Sequence, residues 1–348
     1  MLLIYADAMK TAVVGGSGYA GGELLRILSG HPNFEVITVS AHSHAGALIT
    51  SVHPQLQKYA GRHFEPVDSI NFSDFDLVFI ALPHGESSAL IKKIPQSVKI
   101  VDLGADFRLE SADDWNKYYG GVHAGAWVYG LPELCQGQHD AIATQMRVSN
   151  PGCYATSITL GIAPAMDLIN SEDIVVVAAS GTTGAGRSAQ VNLIGSEVMN
   201  SMSSYKFGGV HQHIPEIEQA LSAIAQKPAK ISFTPILAPM PRGILSTITA
   251  TLINPLSTQT VHEIFVEAYS DSYFIDVLPV GQMPKTHSLI GSNKMQLQVA
   301  VDEHTNRLIV SVAIDNLGKG AAGQAIQNAN LMCGLDERAG IEHDGLGA

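Results

Sequence analysis

The sequence predicts an α/β protein in two parts: a doubly wound parallel sheet comes first, and an α+β unit on a mostly antiparallel sheet follows. Three observations carry that expectation. Residues 10–29, KTAVVGGSGYAGGELLRILS, read as a short apolar strand, a glycine-rich turn and an amphipathic helix with Leu24, Leu25 and Leu28 at helical spacing. DLVFIALPHG at 76–85 and VKIVDLGADFRL at 98–109 supply further buried strands. The β-branched runs ISFTPI, ILSTITATLI, MQLQVAV and RLIVSVAI between 230 and 315 suit antiparallel strands, with VHEIFVEAYSDS as a helix crossing them.

Composition narrows the functions this fold can serve. A chain of 348 residues with 46% hydrophobic content can build two full cores. The net charge of −12 argues against a nucleic-acid or anionic-membrane surface, since phosphate binding needs concentrated Lys and Arg. Cys135, Cys153 and Cys333 are odd in number and widely spaced, which suits neither a disulfide framework nor a zinc pattern and fits a reducing cytoplasm. The leading MLLIYADAM is too short for a signal peptide or a span, so residues 1–8 are expected to be a flexible extension.

The opening strand–turn–helix is the first βα unit of a Rossmann-type dinucleotide-binding domain. Gly15, Gly18 and Gly21 let the backbone approach a pyrophosphate and aim the helix N-terminus at it, with Ser17 and Tyr19 in the same turn. The second strand, EVITVS, ends at Ser40, and no acid lies between Val36 and Phe64 to hold the ribose diol of NAD. That favours NADP. Ser40, His42, Ser43 and His44 are the polar residues available to a 2′-phosphate. Pro83, His84 and Gly85 close the next strand and wall the crevice at the carboxyl ends of the strands. Arg108 ends the strand after that, where its guanidinium either clamps a carboxylate or phosphate or pairs with Asp106. Residues 111–138 lack periodicity and read as a long ordered loop.

Ser149-Asn150-Pro151-Gly152-Cys153-Tyr154 is the centre of the chemistry. An apolar run, AIATQMRV, leads into an Asn-Pro-Gly turn, and Cys153 falls on the first turn of a helix, TSITLGIAPAMDLI. Unpaired N–H groups and the helix dipole favour a thiolate there, which makes Cys153 a candidate nucleophile. A second glycine-rich loop, Gly181 to Arg187, includes Gly184 and lacks the Lys-Ser/Thr ending of a P-loop, so its use is to bring Arg187 and backbone amides near an anion. His211 and His213 precede a helix starting near Pro215. In an extended segment they face opposite sides, one toward the cysteine and one in support. His-x-His is also a metal-ligand spacing, but no Cys or second His cluster accompanies it, so no metal is expected. Met240-Pro241-Arg242-Gly243 places a third arginine in a turn. The last helix, from about Lys319, carries Ala322, Ile326, Ala329 and Met332 on one face and should pack back on the first domain, while the tail after Gly334 should fray.

GGSGYAGGELLR, ALPHG, DLGADFRL, YGLPEL, SNPGCYAT, SGTTGAGR, GVHQHIPEI, PRGILST, IGSN and DNLGKGAAGQAIQNAN occur in an order that resembles the N-acetyl-gamma-glutamyl-phosphate reductases, over about residues 10–335. The resemblance implies a second domain of the glyceraldehyde-3-phosphate-dehydrogenase-like C-terminal type. It implies an NADP-binding domain over 9–152 and 317–335, a catalytic, substrate-binding and oligomerisation domain over 153–316, and flexible ends at 1–8 and 336–348. The implied reaction is NADPH-dependent reduction of an acyl phosphate through a Cys153 thioester in arginine biosynthesis, in a cytoplasmic homodimer or homotetramer. His213 is implied as acid/base. Arg108, Asn150, Arg187, His211, Glu216 and Arg242 are candidates for the substrate, with Glu216 orienting His213 or the substrate amide. Gly15, Ser17, Gly18, Tyr19, Gly21, Ser40, Ser43, Pro83, His84, Gly184 and Asn316 are candidates for the cofactor, Asn316 at the nicotinamide carboxamide. Gly318 stands where relatives usually have valine, which predicts a helix start looser by about 1 kcal/mol. Aspartyl or amino-adipyl phosphate as substrate, and a catalytically silent NADP-binding regulator, are the competing expectations.

Overall fold

The computed structural model describes residues 8–347, so of the expected flexible leader only Ala8 falls within the described residues. Strands β1 (Met9–Val14), β2 (Phe34–Ser40), β3 (Leu77–Ile80), β4 (Lys99–Asp102), β5 (Val128–Tyr129) and β6 (Arg147–Ser149) form a parallel sheet in the order β2-β1-β3-β4-β6-β5. The order reverses between β1 and β3, and a doubly wound sheet opens its ligand crevice at that point, beyond the strands' carboxyl ends. The β3 residues are all buried, as helices on both faces require.

Seven strands make the second sheet: β7 (Ile169–Ser180), β8 (Ser203–Ser204), β9 (Ile231–Leu237), β10 (Ile244–Leu252), β11 (Ile275–Val277), β12 (Met295–Asp302) and β13 (Arg307–Ile314). Their order is β11-β12-β13-β10-β7-β9-β8, and it is mixed, since β7 pairs with β9 and β11 with β12 in parallel. Helices Cys153–Ile162, Ile214–Ala225 and Thr258–Ala268 cover one face, burying Ile158, Ile217 and Phe265 against Val176, Ile248 and Val310. On the other face Val175, Val177 and Leu245 stay exposed.

The C-terminal helix, Gly323–Met332, returns to the first sheet: Ala325, Ile326, Ala329 and Met332 join a core with Val13, Leu24, Phe79 and Val101. Before it runs a π-helical turn, Gly318–Ala322. Gly318 lies where this turn meets Ser292. A Cβ there would come within 2.0 Å of the Ser292 carbonyl oxygen, so the backbones meet too closely for a side chain.

Two expectations need correction. Residues 111–138 are not wholly loop: Ser111 caps a helix, Ala112–Tyr118, its hydroxyl accepting from the Asp114 N–H, and β5 follows. The tail does not fray either. Ile341 is buried in the first core, Glu337 accepts from Gln327 and His139, and the Leu346 N–H donates to Ile290 O.

Candidate active site

Cys153 is the first residue of its helix, and Gly152 caps it with extended backbone (φ −73°, ψ 151°). Three groups build the turn before it. Glu216 Oε1 accepts from the Gly152 N–H (2.8 Å) and the Tyr129 hydroxyl (2.7 Å), and Oε2 pairs with Arg108 Nη1 (3.2 Å). Arg108 gives its other donors to the carbonyls of Asn150 and Leu103, each at 2.8 Å. The Asn150 amide donates to Ala321 O and its Oδ1 accepts from Asn328, which pins the turn to the C-terminal helix. A Cβ on Gly320 would lie 2.7 Å from Cys153 Cβ, so that segment also forms the floor under the nucleophile.

These contacts revise three substrate candidates. Arg108, Asn150 and Glu216 are 4% exposed or less, and their bonds shape the cysteine turn. Arg108 pairs with Glu216 and not with Asp106, whose carboxylate instead accepts from Gly85 N and Ser88 N and fixes the Pro83-His84-Gly85 turn. Glu216 does not orient His213: His213 Nδ1 is buried with no partner among the described residues. Tyr129, Gly320 and Asn328 were not singled out in the sequence. Their roles arise from contacts across the chain, which no local spacing records.

His213 stands over the same turn, since a Cβ on Gly152 would meet its Nε2 at 2.3 Å. The segment is a turn and not extended: Ile214 N donates to His211 O, and the two imidazoles lie 4.9 Å apart on one side, edge to face. His211 Nδ1 accepts from the His213 N–H at 3.1 Å, which leaves the proton of a neutral ring on Nε2. Burial, and then the His213 charge, pushes His211 down to about 2. Burial, then Arg108, holds His213 well below the ordinary imidazole range.

The thiol departs from the expectation of a thiolate. Burial pushes Cys153 up to about 11, outweighing the Tyr154 N–H and Arg108, which pull the other way. The resting pair is thus a thiol beside a neutral base. Alkylation of Cys153 by iodoacetamide, followed by peptide mass spectrometry, is expected to accelerate about tenfold per pH unit from pH 7 to 10, because the thiolate fraction rises in that proportion below the pKa. A rate already flat at pH 6–8 would show a resting thiolate–imidazolium pair and overturn this assignment.

On the crevice side, Gly15 has φ +82° and no room for a Cβ, which would lie 2.2 Å from Ala81 O. Gly21 packs against Gly15 O, and Gly18 caps the Tyr19–Leu28 helix with no side chain in the way. Beside this turn a cavity of about 200 Å³ is lined by Gly15, Ser40, His42, Leu82, Leu90 and Lys93. Ser40 Oγ is buried without a partner among the described residues, while Ser43 is turned to His44. A glycine cradle at a helix N-terminus with an orphaned hydroxyl at its rim suits a dinucleotide. His84 packs edge-on against Tyr119, 5.3 Å between ring centres.

Arg187 reaches this crevice and not the cysteine turn, donating to Ser17 O and Val52 O and lying 5.9 Å from the Tyr19 ring centre. Arg242 is consumed elsewhere, bonded to Glu23 (2.8 and 3.1 Å) and Asp315 (2.5 and 3.1 Å). Asn316 also spends its amide within the protein, accepting from Gly243 N and donating to Thr183 Oγ1, with Gly184 next to it. Among the described residues no group of three or more His, Cys, Asp or Glu could hold a metal ion, and no helix is long and apolar enough to cross a membrane.

Known proteins are similar to this chain along nearly its whole length. The family profile "Semialdehyde dehydrogenase, NAD binding domain" matches residues 10–142, and "Semialdehyde dehydrogenase, dimerisation domain" matches 153–316. An N-acetyl-gamma-glutamyl-phosphate reductase of Acidothermus cellulolyticus is 51% identical over 97% of this chain and 98% of its own length. Another, of Salinispora tropica, is 52% identical over 96% and 97%. The chain belongs to the N-acetyl-gamma-glutamyl-phosphate reductase family. Solved structures of more distant proteins share the reductase fold. Aspartate semialdehyde dehydrogenase II of Vibrio cholerae superposes with a TM-score of 0.71 at 15% identity, covering 94% of this chain and 99% of that one. The Candida albicans aspartate semialdehyde dehydrogenase, solved with NADP, gives 0.68 at 16% identity, with coverage of 94% and 99%. In this chain the first sheet through β5 falls in the first matched region, apart from Met9, and the whole second sheet falls in the second, which Cys153 opens.

Proposed function

We propose that this chain reduces N-acetyl-gamma-glutamyl phosphate to N-acetyl-L-glutamate 5-semialdehyde and phosphate, using NADPH and a thioester on Cys153. The observation that carries the reading is Cys153 at a helix N-terminus with the His213 imidazole over the preceding residue, in a chain about half identical to reductases of that name along its length. His213 Nε2 takes the thiol proton as Sγ attacks the acyl carbon, and the C–O bond to phosphate breaks. The N–H groups of Cys153 and Tyr154, which point to the thiol at the helix start, stabilise the oxyanion that forms beside it. Bound NADPH supplies the hydride that takes the thioester to the aldehyde level. His213 then serves the hemithioacetal oxygen as the thiolate leaves.

Gly15, Gly18 and Gly21, with Ser17 and Tyr19, hold the pyrophosphate, and Arg187 closes over them from the second domain. NADP over NAD is supported by β2 itself, which carries no acid from Val36 to its end at Ser40, while the neighbouring Glu65 accepts from the Thr38 hydroxyl and Lys93 lines the cavity beside Ser40. The uncovered outer face of the second sheet supports a homodimer or homotetramer. Three unpaired cysteines support a reducing cytoplasm.

The test runs the reaction backwards, following NADPH formed from NADP, phosphate and the acetylated semialdehyde, beside aspartate 4-semialdehyde. Activity on the acetylated compound is expected, with His213→Asn lowering kcat by about a hundred- to ten-thousandfold. Activity on the aspartyl compound alone would overturn the substrate, and activity on neither would leave a silent NADP-binding protein.

A further inference from the structure

With Arg108 and Arg242 paired to internal carboxylates, the cation that acts on both histidines among the described residues is Lys206. Its Nζ donates to the neutral Gln212 Oε1 at 2.9 Å, Gln212 being the residue between His211 and His213, and it forms no salt bridge among the described residues. The backbone around it is unusual. Lys206 is a non-glycine residue in the left-handed region (φ 42°), just ahead of Gly208 and Gly209 at φ 80° and 81°. Such a conformation costs about 1 kcal/mol or more and persists where the surroundings impose it. Here the preceding Tyr205 bonds through its hydroxyl to Tyr154, the residue after Cys153, at 3.0 Å. From the other side the Tyr119 hydroxyl donates to Gln212 O, and His84 packs against Tyr119. Lys206 is thus tied to both the nucleophile helix and the histidine turn. Burial is the first cause of the low pKa of His84, His211 and His213, and the Lys206 charge is a further cause at all three.

We propose that Lys206 is the anion-binding residue of this site and holds the phosphate of the acyl phosphate, or inorganic phosphate when the reaction runs backwards. This rests on the reaction assigned above. Chemistry selects phosphate over the substrate's carboxylate: the phosphate is bonded to the carbon that Cys153 attacks, whereas the α-carboxylate lies at the far end of the side chain. A cation bonded to Gln212, on the histidine turn that stands over the cysteine turn, is therefore matched to the phosphate. A bound dianion offsets the Lys206 charge, so His213 becomes a better proton acceptor only when substrate is present.

The experiment measures the reverse reaction with Lys206→Ala and Lys206→Arg, and NADP affinity by fluorescence titration. For Lys206→Ala the phosphate KM is expected to rise about ten- to a hundredfold, as for a lost charge-assisted hydrogen bond. The arginine variant should recover part of it, with semialdehyde KM and NADP affinity unchanged. An unchanged phosphate KM, or a rise confined to the semialdehyde KM, overturns the proposal. A wild type without phosphate-dependent activity on any semialdehyde overturns the underlying reaction instead. A second measurement needs no variant: inorganic phosphate should slow acetylation of Lys206 in the unsubstituted protein, and absence of protection counts against the assignment.

Discussion

Cys153→Ser is expected to lower phosphate-dependent NADP reduction by about a millionfold, the scale on which enzymes lose rate with their nucleophile. The reason lies in the resting site. A thiol raised to about 11 is already hard to ionise, and His213 is a weak base held neutral by burial. A serine hydroxyl is harder to ionise by several pH units still, so the same imidazole cannot generate its alkoxide. The turn should be unaffected, because Glu216, Arg108 and Asn328 grip the backbone and Asn150 and make no use of the sulfur. NADP affinity is therefore expected to match the wild type. A variant retaining a hundredth of the rate would remove Cys153 as the nucleophile.

Arg242→Met is expected to cost about 3 kcal/mol of stability, measured by urea unfolding, because it strands two buried acids. Glu23 is on the first helix and Asp315 at the end of β13, 5% and 0% exposed, so the guanidinium joins the two domains. Asp315 keeps the N–H groups of Gly291 and Leu317, and Glu23 keeps Arg26, which holds the loss near the low end for a broken buried pair. The pH dependence has a definite sign. Burial opposes ionisation of Glu23, but Arg242 and Arg26 overcome it, so its folded pKa lies below the ordinary value. Its contribution is complete above the unfolded pKa and is lost as pH falls through the folded one. The variant should lose part of this acid sensitivity. A Glu23→Gln and Arg242→Met double variant should recover stability relative to Arg242→Met alone, and purely additive losses would show that no coupling exists.

What was legible in the sequence was periodic or punctuated. The Gly15 turn, the buried strands, the Cys153 helix start and the final helix each left a local mark, and each element lies at or close to its expected place. The orientation of charged side chains left none. Arg108, Arg187 and Arg242 all sit in turns and look equivalent in sequence. One binds Glu216 from 108 residues away, one Ser17 in the glycine-rich turn from 170 away, and one Glu23 from 219 away. The histidines were misjudged for a different reason: alternation holds in a strand, and Gln212 and His213 turn into the helix instead. Residues 111–138 were read as irregular because a seven-residue helix gives too little periodicity to detect, although its Ser111 cap was present.

The C-terminal helix also sets the order in which the protein can be made. Asn328 bonds Gly130 across 198 residues, and Lys319, fully buried, bonds Glu133 across 186. While the chain leaves the ribosome, the parallel sheet is therefore complete in strands yet still lacks one of its covering helices. The Val13 and Phe79 core stays partly open, and the cysteine turn has no floor until Gly320 and Asn328 emerge. Contacts of such long sequence separation form slowly and leave apolar surface exposed meanwhile. A nascent chain stalled before residue 320 already holds Glu216, Arg108 and His213 but lacks Gly320 and Asn328, so the cysteine turn reaches its full set of contacts only after residue 328 has emerged.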